Sequence, residues 1–277
     1  MPELPEVEII SRSLHSLLCG RTISTATLFR ERLAPDISPK DFSKALKTST
    51  INHIHRRGKH ILFDLSGDKT LIVHLRMSGR FSLLTSNTDD PKFTHAVFYF
   101  EDETRLVFDD QRHFGLMKIV ATPDLHEAKE LKKLAPEPFS DEFSAEYLRT
   151  ILKTSKRSLK EFLLDQTKVC GLGNIYAAEA MFAAGLNPET PADKVAARKV
   201  PLLYESIKAV LTIAISHAGD LIVDPENLEG GYFSVGDDTV WYVYDRENEP
   251  CRNCKTPIVR LKQGGRSTYF CRRCQKK

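Results

Sequence analysis

The chain has 277 residues, of which 41% are hydrophobic and 28% charged, and its formal net charge at pH 7 is +3. This composition excludes a disordered chain and leaves room for two hydrophobic cores. No apolar run is long enough to cross a bilayer, and glutamates occupy the place of a signal peptide's basic residues, so we expect a cytoplasmic protein with reduced thiols.

The first predicted element is a helix over residues 3–18, where apolar residues recur at helical spacing. Pro2, which precedes it, has two interpretations. Proline followed by acidic residues is favoured at a helix start. Alternatively, once Met1 is removed, Pro2 carries a free secondary amine, and such α-amino groups, with a pKa of about 8, are partly neutral near pH 7. That amine can attack carbon while Glu3 moves protons.

Short β-like segments separated by turn signals follow this helix and predict a β-sandwich or barrel. They span residues 22–29, 51–55, 60–65, 70–75, 80–84, 95–100, 105–109 and 116–120.

A stretch rich in proline and charge, residues 121–141, indicates an interdomain linker that contains a short helix at 125–134. Beyond it the pattern becomes helical. Helices are expected over residues 142–152, 158–166, 174–184, 192–196 and 199–217, followed by an irregular loop over 219–240.

Four cysteines close to the end of the sequence form two C-x2-C pairs separated by sixteen residues: Cys251, Cys254, Cys271 and Cys274. This spacing is typical of a four-thiolate zinc site. Four protein ligands leave no open position, so we expect one structural zinc ion. Apolar residues between the pairs predict two strands around 262–265, with Arg266 at the hairpin tip. The other two, Cys19 and Cys170, are expected to be buried thiols.

The charge of the chain is unevenly distributed. Residues 251–277 contain nine Lys or Arg residues and no Asp or Glu, so residues 1–250 carry a formal charge of −6. A basic segment on an otherwise acidic chain indicates a polyanionic partner.

Several motifs together resemble the formamidopyrimidine-DNA glycosylase (Fpg) family. They occur in the family's order and span nearly the whole chain: PELPEVE at 2–8, RRGK at 56–59, HLRMSG at 74–79, DQRHFG at 110–115, GLGNIYA at 171–177 and GRST at 265–268. The resemblance implies an α+β multidomain fold: an N-terminal β-sandwich with an N-terminal helix (1–121), a linker (122–141), a helical helix–two-turns–helix domain (142–236) and a zinc β-hairpin finger (241–275).

The resemblance also implies a bifunctional DNA glycosylase and lyase that excises oxidised purines, acts as a monomer and associates with the nucleoid through DNA. Its partner is double-stranded DNA with an oxidised base or an abasic site, and no membrane is involved. Pro2 then forms a Schiff base with the sugar C1′, and Glu3 is the acid that protonates the sugar ring oxygen. Lys59 donates a proton in β-elimination and Arg266 in δ-elimination. Because a guanidinium stays protonated, phosphate binding is an equally good role for Arg266.

The damaged base must leave the helix before Pro2 reaches C1′, and a protein can offset this cost by filling the space. By family matching, Met77, Arg112 and Phe114 form this wedge, although Met77 and Phe114 alone are more often core residues. Further DNA contacts are expected from His74, His95, Lys156 and Asn174. Asn174 begins a predicted helix, where N–H groups attract phosphate, but an ordinary cap is the alternative.

Residues 219–228 depart from the family pattern, which leaves the preference among oxidised purines open. The related endonuclease VIII branch, which prefers oxidised pyrimidines, is the nearest alternative. A non-catalytic zinc-dependent DNA-binding protein is the alternative from a different class, and the presence of Pro2, Glu3 and Lys59 argues against it.

Overall fold

The computed structural model describes residues 1–219, 225–226, 228 and 241–276. The chain forms two compact units. Of the described residues, the first unit contains 1–132, 217–219, 225–226 and 228, and the second contains 133–216 and 241–276. Within these residues, no helix is both long and apolar enough to cross a membrane.

The first unit begins with helix α1, Leu4–Leu18, whose apolar face is completely buried. A second helix, α2, spans Pro39–Leu46. The strands of this unit are β1 Thr22–Leu28, β2 Ser49–Arg57, β3 His60–Leu65, β4 Lys69–His74, β5 Gly79–Leu84, β6 Thr94–Phe100, β7 Arg105–Asp110 and β8 Leu116–Ala121.

The strands pair antiparallel in the order β5-β7-β6-β1-β2-β3-β4-β8, and the two halves of this sheet face each other as a β-sandwich. Phe81 on β5 and Phe63 on β3 are far apart in strand order, yet their ring centroids are 5.8 Å apart. Phe81 also contacts Phe108 on β7 at 5.2 Å, so one aromatic cluster joins the two layers. Helix α1 packs against β2 and β3. The predicted β-sandwich with an N-terminal helix is therefore confirmed.

No helix is predicted over residues 39–46, although the start of α2 carries a recognisable sequence signal. Ser38 caps it by accepting a hydrogen bond from the Asp41 N–H at 3.1 Å, and Pro39 occupies the first helical position. Only Phe42 and Leu46 of this short helix are buried. Two apolar residues four apart are too few to produce a helical period by themselves.

The second unit is helical and ends in a β-hairpin. Its α-helices and strands are α3 Ala145–Leu152, α4 Leu159–Leu164, α5 Asn174–Ala183, α6 Val200–Gly219, whose last three residues belong to the first unit, β9 Val259–Gln263 and β10 Arg266–Phe270. Strands β9 and β10 pair antiparallel, with Gln263 opposite Arg266, so Arg266 directly follows the Gly264-Gly265 turn. The hairpin and the position of Arg266 beside its tip match the prediction.

Two expected helices are wrong. Residues 125–134 do not form a helix: a 3-10 helix covers Thr122–Glu127, and turns follow it. Residues 192–196 are replaced by two single 3-10 turns, Ala192–Lys194 and Ala197–Lys199. In these segments too few apolar residues are buried to stabilise a full helix. The expected loop at 219–240 lies almost entirely outside the described residues.

Candidate functional site

The N-terminus is held by the first turn of α1. Glu3 is the N-cap of this helix and is only 3% exposed. Its N–H donates to Glu6 Oε2 at 2.7 Å. Pro5, and not Pro2, occupies the first helical turn, so the helix-start interpretation applies to Pro5. Pro2 lies before the cap, is buried, and directly precedes the buried Glu3 carboxyl group.

Lys59 lies in the tight turn between β2 and β3. Gly58 adopts φ +58°, a conformation that side-chain-bearing residues rarely adopt, and this turn buries Lys59 to 5% exposure. The turn is tied to α1 because Arg56, just before it, donates from Nε to Glu8 Oε2 at 2.5 Å. The helix that directly follows Pro2 and Glu3 is therefore joined to β2, the strand that leads into the Lys59 turn.

Two buried histidines lie next to this turn. The rings of His60 and His74 meet edge to face at 4.6 Å. Burial lowers the pKa of His74 to about 2, and the neighbouring charges of His60, Arg76 and Lys59 add to the effect. Burial likewise lowers the pKa of His60 to about 4. His74 Nδ1 accepts the Arg76 N–H at 2.9 Å, so the neutral ring carries its proton on Nε2.

The three expected wedge residues lie on exposed loops. Met77 is 45% exposed and Phe114 is 49% exposed, which excludes a core role for either side chain. Arg112 is also exposed, and its guanidinium carbon lies 5.5 Å from the centroid of the Phe114 ring. Large exposed apolar side chains beside an arginine are typical of a binding surface.

A buried carboxylate organises the loop that carries Arg112 and Phe114. Asp110 is fully buried and accepts hydrogen bonds from the Ser78 hydroxyl, from the Arg112 N–H at 3.2 Å, from the Phe114 N–H at 2.8 Å and from the Gly115 N–H at 2.7 Å. Burial alone raises the pKa of Asp110, but the hydrogen bonds from Ser78, Gly115, Arg112 and Phe114 outweigh it and hold that pKa below its ordinary value.

His95 is 4% exposed, and its Nε2 lies 2.9 Å from His113 Nδ1. The two rings stack at 5.0 Å with an interplanar angle of 13°. Burial lowers the pKa of His95. In this position His95 supports His113, whose backbone adopts φ +60° within the Asp110 loop.

In the second unit, Asn174 is the first residue of α5 and links this helix to the zinc hairpin. Its Nδ2 donates to the Ser267 carbonyl at 3.0 Å, and Lys160 Nζ reaches the same oxygen at 3.4 Å. Arg266, the neighbour of Ser267 on β10, is exposed, as is Lys156 just before α4. Of the residues predicted to contact DNA, the unit thus presents the exposed cations Lys156 and Arg266 together with Asn174 at the N-terminus of α5.

The four cysteines of the tetrad come together as predicted. All four Sγ atoms lie within 4.8 Å of one another. The Cys254 and Cys271 sulfurs are 3.4 Å apart and those of Cys251 and Cys274 are 3.9 Å apart. Tetrahedral Zn–S bonds of about 2.3 Å require sulfurs about 3.8 Å apart, so the donor set fits zinc. Hydrogen bonds from Thr256 lower the pKa of the Cys254 thiol to about 6, which favours the thiolate that zinc binds.

Two buried side chains, Glu179 and Gln275, anchor residues 241–275, called the zinc segment below, and neither side chain was predicted from the sequence. Glu179 on α5 accepts the N–H groups of residues 242–244 at 2.9–3.0 Å. Gln275 is fully buried, accepts the Cys271 N–H at 2.9 Å and donates to the Leu186 carbonyl at 2.9 Å. No periodicity reports such contacts, because the partners are backbone groups and, except for the Cys271 N–H, lie 63 or more positions away in the sequence.

The expectation for the two remaining cysteines is half right. Cys170 is buried, whereas Cys19 is exposed. Cys19 ends α1, outside the buried apolar face of that helix, and its thiol donates to the Asn52 carbonyl at 3.1 Å.

Three family models match the chain in succession. Residues 1–117 match the formamidopyrimidine-DNA glycosylase N-terminal domain, residues 134–225 match the formamidopyrimidine-DNA glycosylase H2TH domain, and residues 248–277 match a zinc finger found in FPG and IleRS. A formamidopyrimidine-DNA glycosylase from Bacillus licheniformis is 40% identical over the full length of both chains.

Two solved structures of Lactococcus lactis Fpg superpose over the whole of both chains. A variant bound to DNA that contains Fapy-dG has a TM-score of 0.90 and 34% identity. The wild-type protein bound to DNA that contains an oxidised pyrimidine has a TM-score of 0.90 and 32% identity. With matches to all three domains and to a full-length relative, this chain belongs to the formamidopyrimidine-DNA glycosylase family.

Proposed function

We propose that this protein is a bifunctional DNA glycosylase and abasic-site lyase that excises oxidised purines from double-stranded DNA. The proposal rests on one observation about the N-terminus. Pro2 and Glu3 directly precede α1, and the ion pair between Glu8 and Arg56 joins this helix to the turn that buries Lys59. Membership of the family supports it over the full length of the chain.

In the proposed reaction, the lone pair of the Pro2 nitrogen forms a bond to C1′ of the damaged nucleotide. The glycosidic bond breaks, the base leaves with its electron pair, and the proton that the Pro2 nitrogen releases neutralises the departing base. Glu3, in its protonated form, gives a proton to the sugar ring oxygen, and the ring opens to an iminium ion. Removal of Met1 is required because an amide nitrogen has no lone pair to offer.

The iminium acidifies the protons on C2′. Loss of one of them forms a double bond and expels the 3′ phosphate, the β-elimination in which Lys59 serves as proton donor. A second elimination releases the 5′ phosphate and leaves a one-nucleotide gap. We assign Arg266 to this step, where its fixed charge stabilises the departing phosphate.

Base eversion relies on the exposed side chains of Met77, Arg112 and Phe114. The two apolar side chains fill the vacated stack, and Arg112 donates to the orphaned partner base. His74 offers a neutral Nε2–H donor, and His95, Lys156 and Asn174 complete the proposed backbone contacts. His95 contributes through His113, given its burial. The zinc ion serves only to hold the hairpin that presents Arg266.

We further propose the domain division 1–121, 142–236 and 241–275 with a linker at 122–141, a monomeric state and a cytoplasmic, nucleoid-associated location. The domain division follows from the order of the family motifs along the chain, and the monomeric state and the location suit a DNA substrate that a single chain recognises. The loop at 219–230, which departs from the family pattern, lies mostly outside the described residues, so the ranking among oxidised purines is left to experiment.

Borohydride trapping tests the proposal. Protein with a mass-verified Pro2 terminus is incubated with duplexes containing 8-oxoguanine, formamidopyrimidine or thymine glycol, reduced, and the adduct is mapped by mass spectrometry. We expect an adduct on the Pro2 nitrogen, more with the two purine lesions, and none on this nitrogen in protein that retains Met1. Pro5→Ala, which alters the motif but keeps the terminal amine, is the matched control and retains the adduct.

Three results contradict the proposal. An adduct on a lysine excludes Pro2 as the nucleophile. A larger yield with thymine glycol favours the endonuclease VIII alternative, for which the L. lactis complex with an oxidised pyrimidine gives a precedent. Tight DNA binding without any adduct favours the non-catalytic alternative.

A further inference from the structure

Two histidines and an aspartate converge on the surface of the β2–β3 strand pair, apart from the zinc tetrad. His53 lies directly opposite Asp64 in the strand register, and His55 lies two residues further along β2. Residues two apart on a strand point to the same face. One donor atom from each of these three side chains lies within 4.8 Å of the other two.

One ring nitrogen of each histidine lies within 4.0 Å of the same carboxylate oxygen. Asp64 Oδ2 lies 3.1 Å from His55 Nε2 and 3.9 Å from His53 Nδ1. The two imidazole rings stack at 5.1 Å with an interplanar angle of 25°. Ligand atoms about 2.0–2.1 Å from a tetrahedral zinc ion lie about 3.3 Å apart, so the three donors need only small side-chain rotations to meet one ion.

The carboxylate is held in this orientation from behind. Asp64 Oδ1 accepts a hydrogen bond from the Thr70 hydroxyl at 3.0 Å. Thr70 is completely buried, and its hydroxyl also lies 3.0 Å from that of Thr122. Outer partners of this kind orient metal ligands and strengthen binding. Only Asp64 Oδ2 then remains as an acceptor for the two imidazoles, which compete to donate a hydrogen bond to it. A metal cation, in contrast, can bind lone pairs from all three side chains at once.

The cluster is also open to solvent. The side chains of His53, His55 and Asp64 are 56%, 37% and 29% exposed. Imidazole and carboxylate donors together suit zinc, copper, nickel and cobalt ions, and three protein ligands leave a position for water. The side chains are therefore both accessible to a metal from solution and chemically matched to this class.

We propose that His53, His55 and Asp64 form a second metal site, which binds a divalent first-row transition metal ion such as Zn²⁺. The ion joins β2 to β3 and braces the hairpin whose turn carries Lys59. Because such a site exists only in the folded chain, metal binding stabilises the first unit. The inference is independent of the proposed reaction.

The test measures metal stoichiometry on protein whose cysteine site is already loaded with zinc. Isothermal titration with Zn²⁺ is expected to reveal one further equivalent in the wild type. The double variant His53→Gln/His55→Gln is expected to lose it. Asp64→Asn keeps an oxygen for Thr70 but loses the charge on Oδ2, and we expect weaker binding.

The matched control is His126→Gln, which removes an exposed histidine whose Nε2 lies 3.6 Å from the Glu127 carboxylate but which, among the described residues, belongs to no cluster of three such groups. It should keep the extra equivalent. Titration with Co²⁺ identifies the ligands, because oxygen and nitrogen donors give weak visible bands, whereas exchange into the cysteine site gives intense thiolate charge-transfer bands.

A thermal shift gives a second readout. Added Zn²⁺ should raise the Tm of the wild type and of His126→Gln, and leave that of the double variant unchanged. The proposal is overturned if the wild type binds no metal beyond the cysteine site, if the double variant binds the further equivalent with wild-type affinity, or if Co²⁺ enters only the cysteine site.

Discussion

Replacement of Asp110 by asparagine should disable the loop that presents Arg112 and Phe114 while sparing the sandwich. Asparagine has one oxygen and one NH2 group. It keeps its oxygen on the Phe114 and Gly115 N–H groups and turns the NH2 toward Ser78, whose hydroxyl rotates to accept it. The Arg112 N–H loses Asp110 but keeps Ser78 Oγ at 3.0 Å.

The expected cost follows from these contacts. The variant loses one bond to a charged acceptor and weakens the remaining three, which become neutral. Hydrogen bonds to charged groups contribute roughly 1.5–3 kcal/mol each, so the free energy of unfolding should fall by about 2 kcal/mol. Asp110→Ala leaves the Phe114 and Gly115 N–H groups without this acceptor and should cost about 4 kcal/mol.

The assay pairs urea unfolding with base eversion, followed by the fluorescence of 2-aminopurine next to the lesion. Asp109→Asn is the matched control. Asp109 is also buried, but its carboxylate contacts Arg80 Nε at 2.9 Å and the Phe93 N–H at 3.1 Å, and not the N–H groups that Asp110 holds. Both variants should be less stable, but only Asp110→Asn should slow eversion, by about tenfold if 1.4 kcal/mol of loop order is lost. Equal eversion by the two variants would refute the reasoning.

The pH dependence of stability provides a second test of the role of the Asp110 carboxylate. Because the pKa of Asp110 is lowered in the folded protein, its stabilisation is fully present above the ordinary carboxyl pKa and is lost as the pH falls through the lowered value. The stability difference between the wild type and Asp110→Asn should therefore narrow in acid. A constant difference would mean that the charge of Asp110 does not matter.

Two further predictions concern the zinc segment. Glu179→Gln keeps one oxygen for the N–H groups of Val243 and Tyr244 but loses the acceptor for Tyr242. In urea titration, its free energy of unfolding should therefore be roughly 1–3 kcal/mol lower than that of the wild type, while the cysteine-bound zinc ion is retained. An unchanged unfolding midpoint would contradict this anchoring role. Zinc removal by chelation should abolish DNA binding in a mobility-shift assay, and added zinc should restore it; tight binding by protein verified to lack zinc would show that the hairpin does not need the ion.

The sequence predicted those parts of the fold in which a local pattern carries the structural information. Strand β3 was predicted to the residue, because turn residues bound an apolar run on both sides. The cysteine tetrad was predicted from spacing, since two C-x2-C pairs leave few other arrangements. Helix α2 was missed because its information lies in the Ser38 cap and Pro39, and not in an apolar period.

The contacts that position the predicted site residues could not be derived from local sequence patterns either. Pro2, Glu3 and Lys59 are identifiable from chemistry and motif, but the sequence does not show the ion pair between Glu8 and Arg56, residues 48 positions apart, that joins α1 to the strand leading into the Lys59 turn. Sequence patterns report what a side chain offers, and they do not report which distant group it meets.

Asp110 and Glu179 extend this argument from pairs to loops. Each carboxylate accepts backbone N–H groups that converge only after the chain has folded around it, so neither partner set has a side-chain signature in the sequence. A buried charge that lacked such donors would cost several kcal/mol. Each loop and its carboxylate therefore stabilise one another. For this reason we expect the positions that control the wedge loop and the zinc segment to be those acidic residues, and not the exposed residues that the motifs display.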